Sequence, residues 1–345
     1  MYKEELPMRT QVYILTGYLG SGKTTLLQRM LAHMQKQDEK IVVLMNEMGE
    51  EDIDGELLQG FGFPVKKMLD GCICCSLQGE LTEGLKEILS ALSPAKILIE
   101  TTGVADPIDV VDGLTHPELF DRLELKGMIS VVDASRFLEL NSRFQSTSAL
   151  VKTIRNQVKY ADLLLLNKTD LTAPDTLKKV EEKLKQLNPL APLHHTIHSE
   201  VDMQLLLSVK RVASTEDAER VAKVPVQTGI GRFSPIDKLK QSLGLKTNQP
   251  SLYNSIESFA IHFTGPVDPD KFEDFLYGLP KNVYRAKGYV QFHGKEELIS
   301  FQHTDNQVLF FPFENFGPKM VAVFIGEGMD QEQIRRDLET CYAQQ

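Results

Sequence analysis

Across the first ~200 residues, short uninterrupted apolar runs alternate with longer stretches in which apolar residues recur at i, i+3 and i+4. That alternation is the signature of a mainly parallel sheet covered by helices on both faces. The strand runs are Val12–Thr16, Ile41–Met45, Ile97–Glu100, Gly127–Val132 and Leu163–Leu166, with Pro192–Ile197 a weaker sixth. Asp162-Leu163-Leu164-Leu165-Leu166 shows no polar alternation, as a strand buried on both faces requires. Thr24–Met34, Leu81–Leu92, Ala149–Lys159 and Thr176–Leu187 carry the helical spacing. From about Lys210 to Tyr253 the pattern gives way to Thr, Gly, Ser, Pro and charges, which reads as a connector. A second unit follows. Its strands are predicted at Ile256–Phe263, Tyr284–Phe292, Glu297–Gln302 and Val321–Ile325, and its helices at Asp270–Gly278 and Gln331–Cys341. The expected organisation is an α/β domain over residues 8–210, a connector over 211–253 and a smaller, mostly antiparallel α+β domain over 254–345.

Composition narrows the function classes. The chain has 345 residues, of which 42% are hydrophobic and 25% charged, as in soluble globular proteins. No apolar run approaches the ~20 residues that span a bilayer, and the N-terminus lacks the apolar segment of a secretory signal. A cytoplasmic protein without a membrane partner is expected. A formal net charge of -10 argues against a nucleic-acid partner, which needs clustered Lys and Arg. Of four cysteines, three fall within four residues, too close for disulfide pairing among neighbours. Cys341 stands apart and reads as an inert residue of the closing helix.

Gly17-Tyr18-Leu19-Gly20-Ser21-Gly22-Lys23-Thr24 fits G-x-x-x-x-G-K-[ST], placed after one predicted strand and opening one predicted helix. In such a loop, glycines let successive backbone N–H groups turn toward phosphates, and the helix N-terminus adds partial positive charge. Lys23 would reach the β and γ phosphates and the Thr24 hydroxyl would ligate Mg²⁺; Thr25 follows in the same turn. Ile97-Leu98-Ile99-Glu100 then brings an acid toward that Mg²⁺, with Gly103 where the chain would meet the third phosphate. Glu stands here where Asp is commoner, so a longer arm acting through a water is expected. Asn167-Lys168-Thr169-Asp170 follows a buried strand. Asp170 can accept from the ring N–H and the exocyclic amine of guanine, while the Lys168 stem covers the ring. Adenine would leave the carboxylate unpaired at a cost of several kcal/mol. The other reading of Asp170 is a helix cap.

Gly71-Cys72-Ile73-Cys74-Cys75 lies between the phosphate loop and the Glu100 strand. Its spacing is tighter than that of structural zinc knuckles, and no second cysteine pair exists to close such a site. Two or three thiolates turned inward would leave a position open, which suits a metal that has to leave again. Softness favours Zn²⁺, with Co²⁺, Ni²⁺ and Cu⁺ as alternatives. Glu47 and Glu50, just after the second strand, are candidate oxygen ligands, and His116 is a further one. The bland alternatives are a buried cysteine cluster or a redox pair, and a solvated acidic loop for the glutamates. His194, His195 and His198 read as neighbours of the guanine more readily than as metal ligands.

These segments together resemble the CobW-type metallochaperone GTPases, a branch of P-loop GTPases that includes zinc-regulated and cobalamin-associated proteins. The residues that carry the resemblance are Gly17–Thr24, Asn46–Glu50, Gly71–Cys75, Glu100-Thr101-Thr102-Gly103-Val104-Ala105-Asp106-Pro107, Val132-Asp133-Ala134 and Asn167–Asp170. In the second unit Leu279-Pro280 and Arg285-Ala286-Lys287-Gly288 add to it. The resemblance implies GTP hydrolysis to GDP, with Mg²⁺, coupled to transfer of a transition metal to a client metalloprotein. Two features depart from the family pattern: a long His-rich stretch is replaced by the short 194–198 group, and tryptophan is absent. A GTP-linked metal buffer or sensor, or an activator of a cobalt or nickel cofactor pathway, stays open beside delivery. Self-association stays open too.

Overall fold

The computed structural model describes residues 9–36, 39–46, 62–68, 76–142, 146–211, 256–304, 307–313 and 319–342. In chain order the first unit runs β1 (Thr10–Thr16), α1 (Lys23–Met34), β2 (Ile41–Asn46), β3 (Val65–Met68), α2 (Ser76–Ala91), β4 (Lys96–Glu100) and α3 (Pro107–Leu114). It continues with β5 (Leu123–Asp133), α4 (Phe137–Leu140), α5 (Ser148–Lys159), β6 (Leu163–Asn167), α6 (Pro174–Leu187), β7 (Leu193–His195) and α7 (Met203–Leu207). The second unit contains β8 (Glu257–His262), α8 (Pro269–Tyr277), β9 (Val283–Gln291), β10 (Leu298–Thr304), β11 (Gln307–Phe313), β12 (Val321–Gly326) and α9 (Gln331–Glu339).

The first sheet has seven strands in the order β3-β2-β4-β1-β5-β6-β7, every neighbouring pair parallel. Burial on both faces explains the unbroken apolar runs. Along β1, Val12 and Ile14 enter a core shared with Leu81, Leu85, Val110 and Val111, whereas Tyr13 and Leu15 enter the opposite core with Leu26, Leu27 and Met30. Along β6, Leu164 and Leu166 meet Ile154, Val158, Val180 and Leu184 of α5 and α6. Because all the strands run the same way, the loops after β1, β2, β3, β4 and β6 leave one edge, where ligands bind in open α/β sheets. The second sheet is antiparallel in the order β11-β10-β9-β12-β8 and carries its own core around Phe272, Phe301 and Phe324. Among the described residues no helix is long and apolar enough to cross a membrane.

Several elements depart from the periodicity. β3 is a four-residue edge strand with Lys66 and Lys67 at its centre, and lysines suit an exposed edge while erasing the apolar signal. β11 is the opposite case: its run includes Pro312, tolerated because the strand lies at the sheet edge. α3 is only eight residues long; Asp106 caps it by accepting from the Ile108 N–H at 3.0 Å, with Pro107 in the first turn. α2 begins at Ser76, five residues ahead of the expected start.

The two units meet along α3 and α5. Ile256 and Ile325 join the core beneath α3. Above it, Arg285 donates to Asp109 Oδ1 at 2.5 Å and to Asp112 Oδ2 at 2.6 Å, and Lys287 reaches Asp112 Oδ1 at 2.7 Å. At the end of α5, Lys159 pairs with Glu327 Oε2 at 2.6 Å, which also accepts from the Tyr284 hydroxyl at 2.6 Å.

Candidate nucleotide site and the neighbouring cysteine motif

The loop from β1 into α1 turns at Gly17, Gly20 and Gly22, with φ of 135°, 71° and 110°. At Gly17 a Cβ would lie 2.1 Å from the Val131 carbonyl oxygen, and Gly22 is constrained as well. Its φ disfavours any L side chain, and a Cβ would lie 2.5 Å from Asn167 Nδ2 and 2.7 Å from Ser199 Oγ. Lys23 is buried and arches back over the loop, donating to the carbonyls of Gly17 at 2.8 Å and Tyr18 at 3.3 Å. Ser21 is buried, and Thr25 lies half-buried in the first turn of α1. Thr24 Oγ1 donates to Glu100 Oε1 at 2.8 Å. The longer acid thus reaches the threonine directly. A hydroxyl and a carboxylate oxygen set side by side at the mouth of the loop form the oxygen-rich donor set that Mg²⁺ takes together with phosphate and water.

Beyond Glu100 the chain passes over the loop. The Thr101 N–H still pairs with the Leu15 carbonyl at 3.0 Å, so β4 stays in register with β1 to its end. At Gly103 the backbone lies so close to Leu19 that a Cβ would collide with its main chain. The arrangement brings Gly103 against the phosphate loop.

At the base end, Asn167 is buried and its amide is fully engaged. Nδ2 donates to the Ser21 carbonyl at 2.8 Å and to Ser199 Oγ at 3.1 Å; Oδ1 accepts from the Ser199 N–H at 2.8 Å and the Thr196 hydroxyl at 3.0 Å. Two donors and two lone pairs are the whole capacity of an asparagine amide. Asn167 therefore ties the phosphate loop to β6 and to the turn after β7. Lys168 adopts φ 60° and its ammonium pairs with Asp133 Oδ2 at 2.7 Å. Burial opposes ionisation of Asp133, but hydrogen bonds from Lys168 and Ser135 outweigh it and hold the carboxyl below its ordinary range. Asp170 is exposed in a single 3₁₀ turn, Thr169–Leu171. The next helix starts at Pro174 with Ala173 at its cap, so helix capping does not account for Asp170.

The histidines diverge. His195 Nε2 lies 3.2 Å from Glu181 Oε1 on α6, His194 stays in β7, and His198 sits in the following turn with its carbonyl accepting from Arg29. His116 belongs to the seam between the units: burial above all, then Lys287 and Lys86, push its pKa down to about 4. Among the described residues no group of three or more His, Cys, Asp or Glu side chains could hold a metal. Glu47, Glu50, Cys72, Cys74 and Cys75 lie outside the described residues. Their flanks are placed: β2 ends at Asn46, β3 at Met68, and α2 begins at Ser76. β3 pairs parallel with β2 and β2 with β4, so both strands end at the edge that carries Thr24 and Glu100. Cys341 is buried in the second core, its thiol pushed up to about 11 chiefly by burial, which fits an inert residue.

Sequence reasoning missed Thr196, Ser199, Asn156 and Gln157. Gln157 alone left a signal, since it falls between Ile154 and Val158 on the buried stripe of α5.

Residues 11–195 match the CobW/HypB/UreG nucleotide-binding domain, and residues 256–342 match the cobalamin synthesis protein cobW C-terminal domain. The chain belongs to the CobW/HypB/UreG family. Within that family it is 31% identical over 340 residues to zinc chaperone YjiA of Escherichia coli, covering 94% of this chain and 96% of the relative. It is 29% identical over 236 residues to zinc-regulated GTPase metalloprotein activator 1 of Dictyostelium discoideum, covering 59% and 48%. Among solved structures, Zn(II)-bound YjiA GTPase from E. coli aligns over 97% of this chain and 99% of its own, at 25% identity and a TM-score of 0.46.

Proposed function

We propose that this protein is a GTP-hydrolysing zinc chaperone that transfers its metal to a client metalloprotein. The observation that carries the reading is the Thr24–Glu100 hydrogen bond of 2.8 Å at the mouth of the phosphate loop, on the edge from which the cysteine-bearing connection leaves β3. Names of relatives supply the cargo: those at full and partial length are a zinc chaperone and a zinc-regulated GTPase.

In this account Gly17, Gly20, Ser21, Gly22, Lys23, Thr24 and Thr25 receive the phosphates of GTP. Lys23 exchanges its two carbonyl partners for phosphate oxygens, Thr24 and Glu100 hold Mg²⁺, and Gly103 reads the third phosphate. Mg²⁺, when bound, neutralises charge developing on the phosphates. Hydrolysis needs positioning of an attacking water and charge stabilisation, and no covalent nucleophile. Asp170 selects guanine and Lys168, anchored by Asp133, lies along the base. Asn167 acts by holding loops in place. Cys72, Cys74 and Cys75, with Glu50 and Glu47, hold the zinc. The working division is an α/β domain over 8–210, a connector over 211–253 and a C-terminal domain over 254–345.

Phosphate release with GTP and with ATP, each with and without Mg²⁺, tests the enzyme half. Asp170→Asn should weaken GTP and favour xanthosine triphosphate; equal use of ATP and GTP by the native protein would sink the base assignment. For the delivery half, zinc is loaded and an apo client added. Zinc that leaves at the same rate with GTP as with a non-hydrolysable analogue would reduce the protein to a buffer.

A further inference from the structure

We propose that Gln157 is a positioning residue for the response to the third phosphate, acting through Gly103; the inference rests on the GTPase reading above. Helix α5 buries Val151, Ile154 and Val158 on one stripe, and Gln157 lies on the same buried side, only 1% exposed. A primary amide in such a place is costly unless it is fully paired. Here its Nε2 donates to the carbonyls of Gly103 at 3.1 Å and Ala105 at 3.2 Å. One NH₂ group thus spans the turn Gly103-Val104-Ala105 from behind. On the other side the turn is pressed against the Leu19 backbone, too tightly for any Cβ at position 103.

The neighbouring residue completes the grip. Asn156 Nδ2 donates to Asp106 Oδ2 at 2.8 Å, and Asp106 caps α3. Helix α5 therefore holds both the turn and the start of the helix that follows it. Both donor bonds of Gln157 end on backbone carbonyls, so its action runs through Gly103 and Ala105. Its effect is to fix the Gly103 backbone at the distance from the phosphate loop at which a third phosphate is met. GDP carries no such phosphate and is indifferent to that distance.

A glutamate here would turn acceptors toward two carbonyls, and a leucine would remove their shared donor at similar size. In Gln157→Glu and Gln157→Leu, affinities for a non-hydrolysable GTP analogue and for GDP are measured, with kcat and KM for GTP and the thermal midpoint. The expected result is a loss of about tenfold or more in analogue affinity and in kcat, with GDP affinity held within about twofold. A loss of both affinities in step with the thermal midpoint would reduce Gln157 to a packing residue and overturn the proposal. So would an unchanged ratio of the two affinities. Should neither variant fold, Asn156→Ala removes one half-buried bond to the same segment and shifts the ratio the same way by a smaller factor; no shift there also overturns it. Native protein that binds neither nucleotide would defeat the GTPase reading itself, whereas native binding with indifferent variants defeats this inference alone.

Discussion

The phosphate end of the molecule and the seam between its two units are both polar, yet they are built from different bonds. At the phosphate end most of the holding is done by neutral groups, the Asn167 and Gln157 amides, the Ser199 and Thr196 hydroxyls and the backbone, with Lys23, the Lys168–Asp133 pair and Glu100 as the charged members. At the seam charged side chains do it. Arg285 and Lys287 face Asp109 and Asp112, and Lys159 faces Glu327. A site that is to receive several negative charges from a ligand works best with its dipoles fixed in advance and few charges of its own to compete. The seam has its charges already matched and is suited to transmitting force between units. Burial lowers the Lys287 pKa against the pull of Asp112.

Substitutions should separate the two regions. The largest loss of activity belongs to Lys23→Ala: on the proposed reading its ammonium moves to the phosphates, and its loss should cut kcat by roughly 10²–10³-fold, read by phosphate release. At the seam stability should fall instead. Asp112→Ala leaves Lys287 without its carboxylate and Arg285 with Asp109 alone, and should cost about 3–5 kcal/mol in urea unfolding while GDP still binds. An Asp112→Ala protein of native stability would show that the seam charges carry no load, and the contrast drawn above would fail.

The smallest expected effect is one of pH. His116 titrates near 4 in the folded protein against 6.5 ordinarily, because burial and the neighbouring Lys287 and Lys86 disfavour its charged form, with Glu118 and Asp112 opposing them. Between those values the unfolded chain binds a proton that the folded chain refuses. Stability is therefore full above pH 6.5 and declines as pH falls toward about 4. Glu118 acts in the same sense lower down: burial opposes its ionisation, but Lys86 and the Tyr289 hydroxyl hold its carboxyl below the ordinary range. Thermal midpoints across that window should decline less steeply in His116→Asn than in the native protein.

How much of this was legible in the sequence follows from the range of each interaction. Strands β1, β2, β4, β5 and β6 declared themselves because burial on both faces leaves mostly apolar residues in a row. The phosphate loop and Glu100 were legible because local chemistry dictates their residue types in order. β3 and β11 were hidden by their place at sheet edges, where Lys66, Lys67 and Pro312 do no harm. The helper residues were hidden by distance along the chain. Gln157 meets Gly103 across 54 positions and Asn167 meets Ser199 across 32, and no local pattern marks such partners. Asn167 illustrates the limit from the other side: its presence after β6 was read directly, but that its amide is wholly used by Ser21, Ser199 and Thr196 became visible only in three dimensions.

The proposed function links nucleotide and zinc through one edge of the sheet. The most direct test is a chelator-competition titration of zinc into the native protein, once with a non-hydrolysable GTP analogue bound and once with GDP. The account predicts tighter zinc binding in the analogue state, by roughly 5–150-fold for a coupling of about 1–3 kcal/mol, and an equal factor in analogue affinity when zinc is added first. Identical zinc affinities in the two nucleotide states would contradict it and leave the cysteines a passive site.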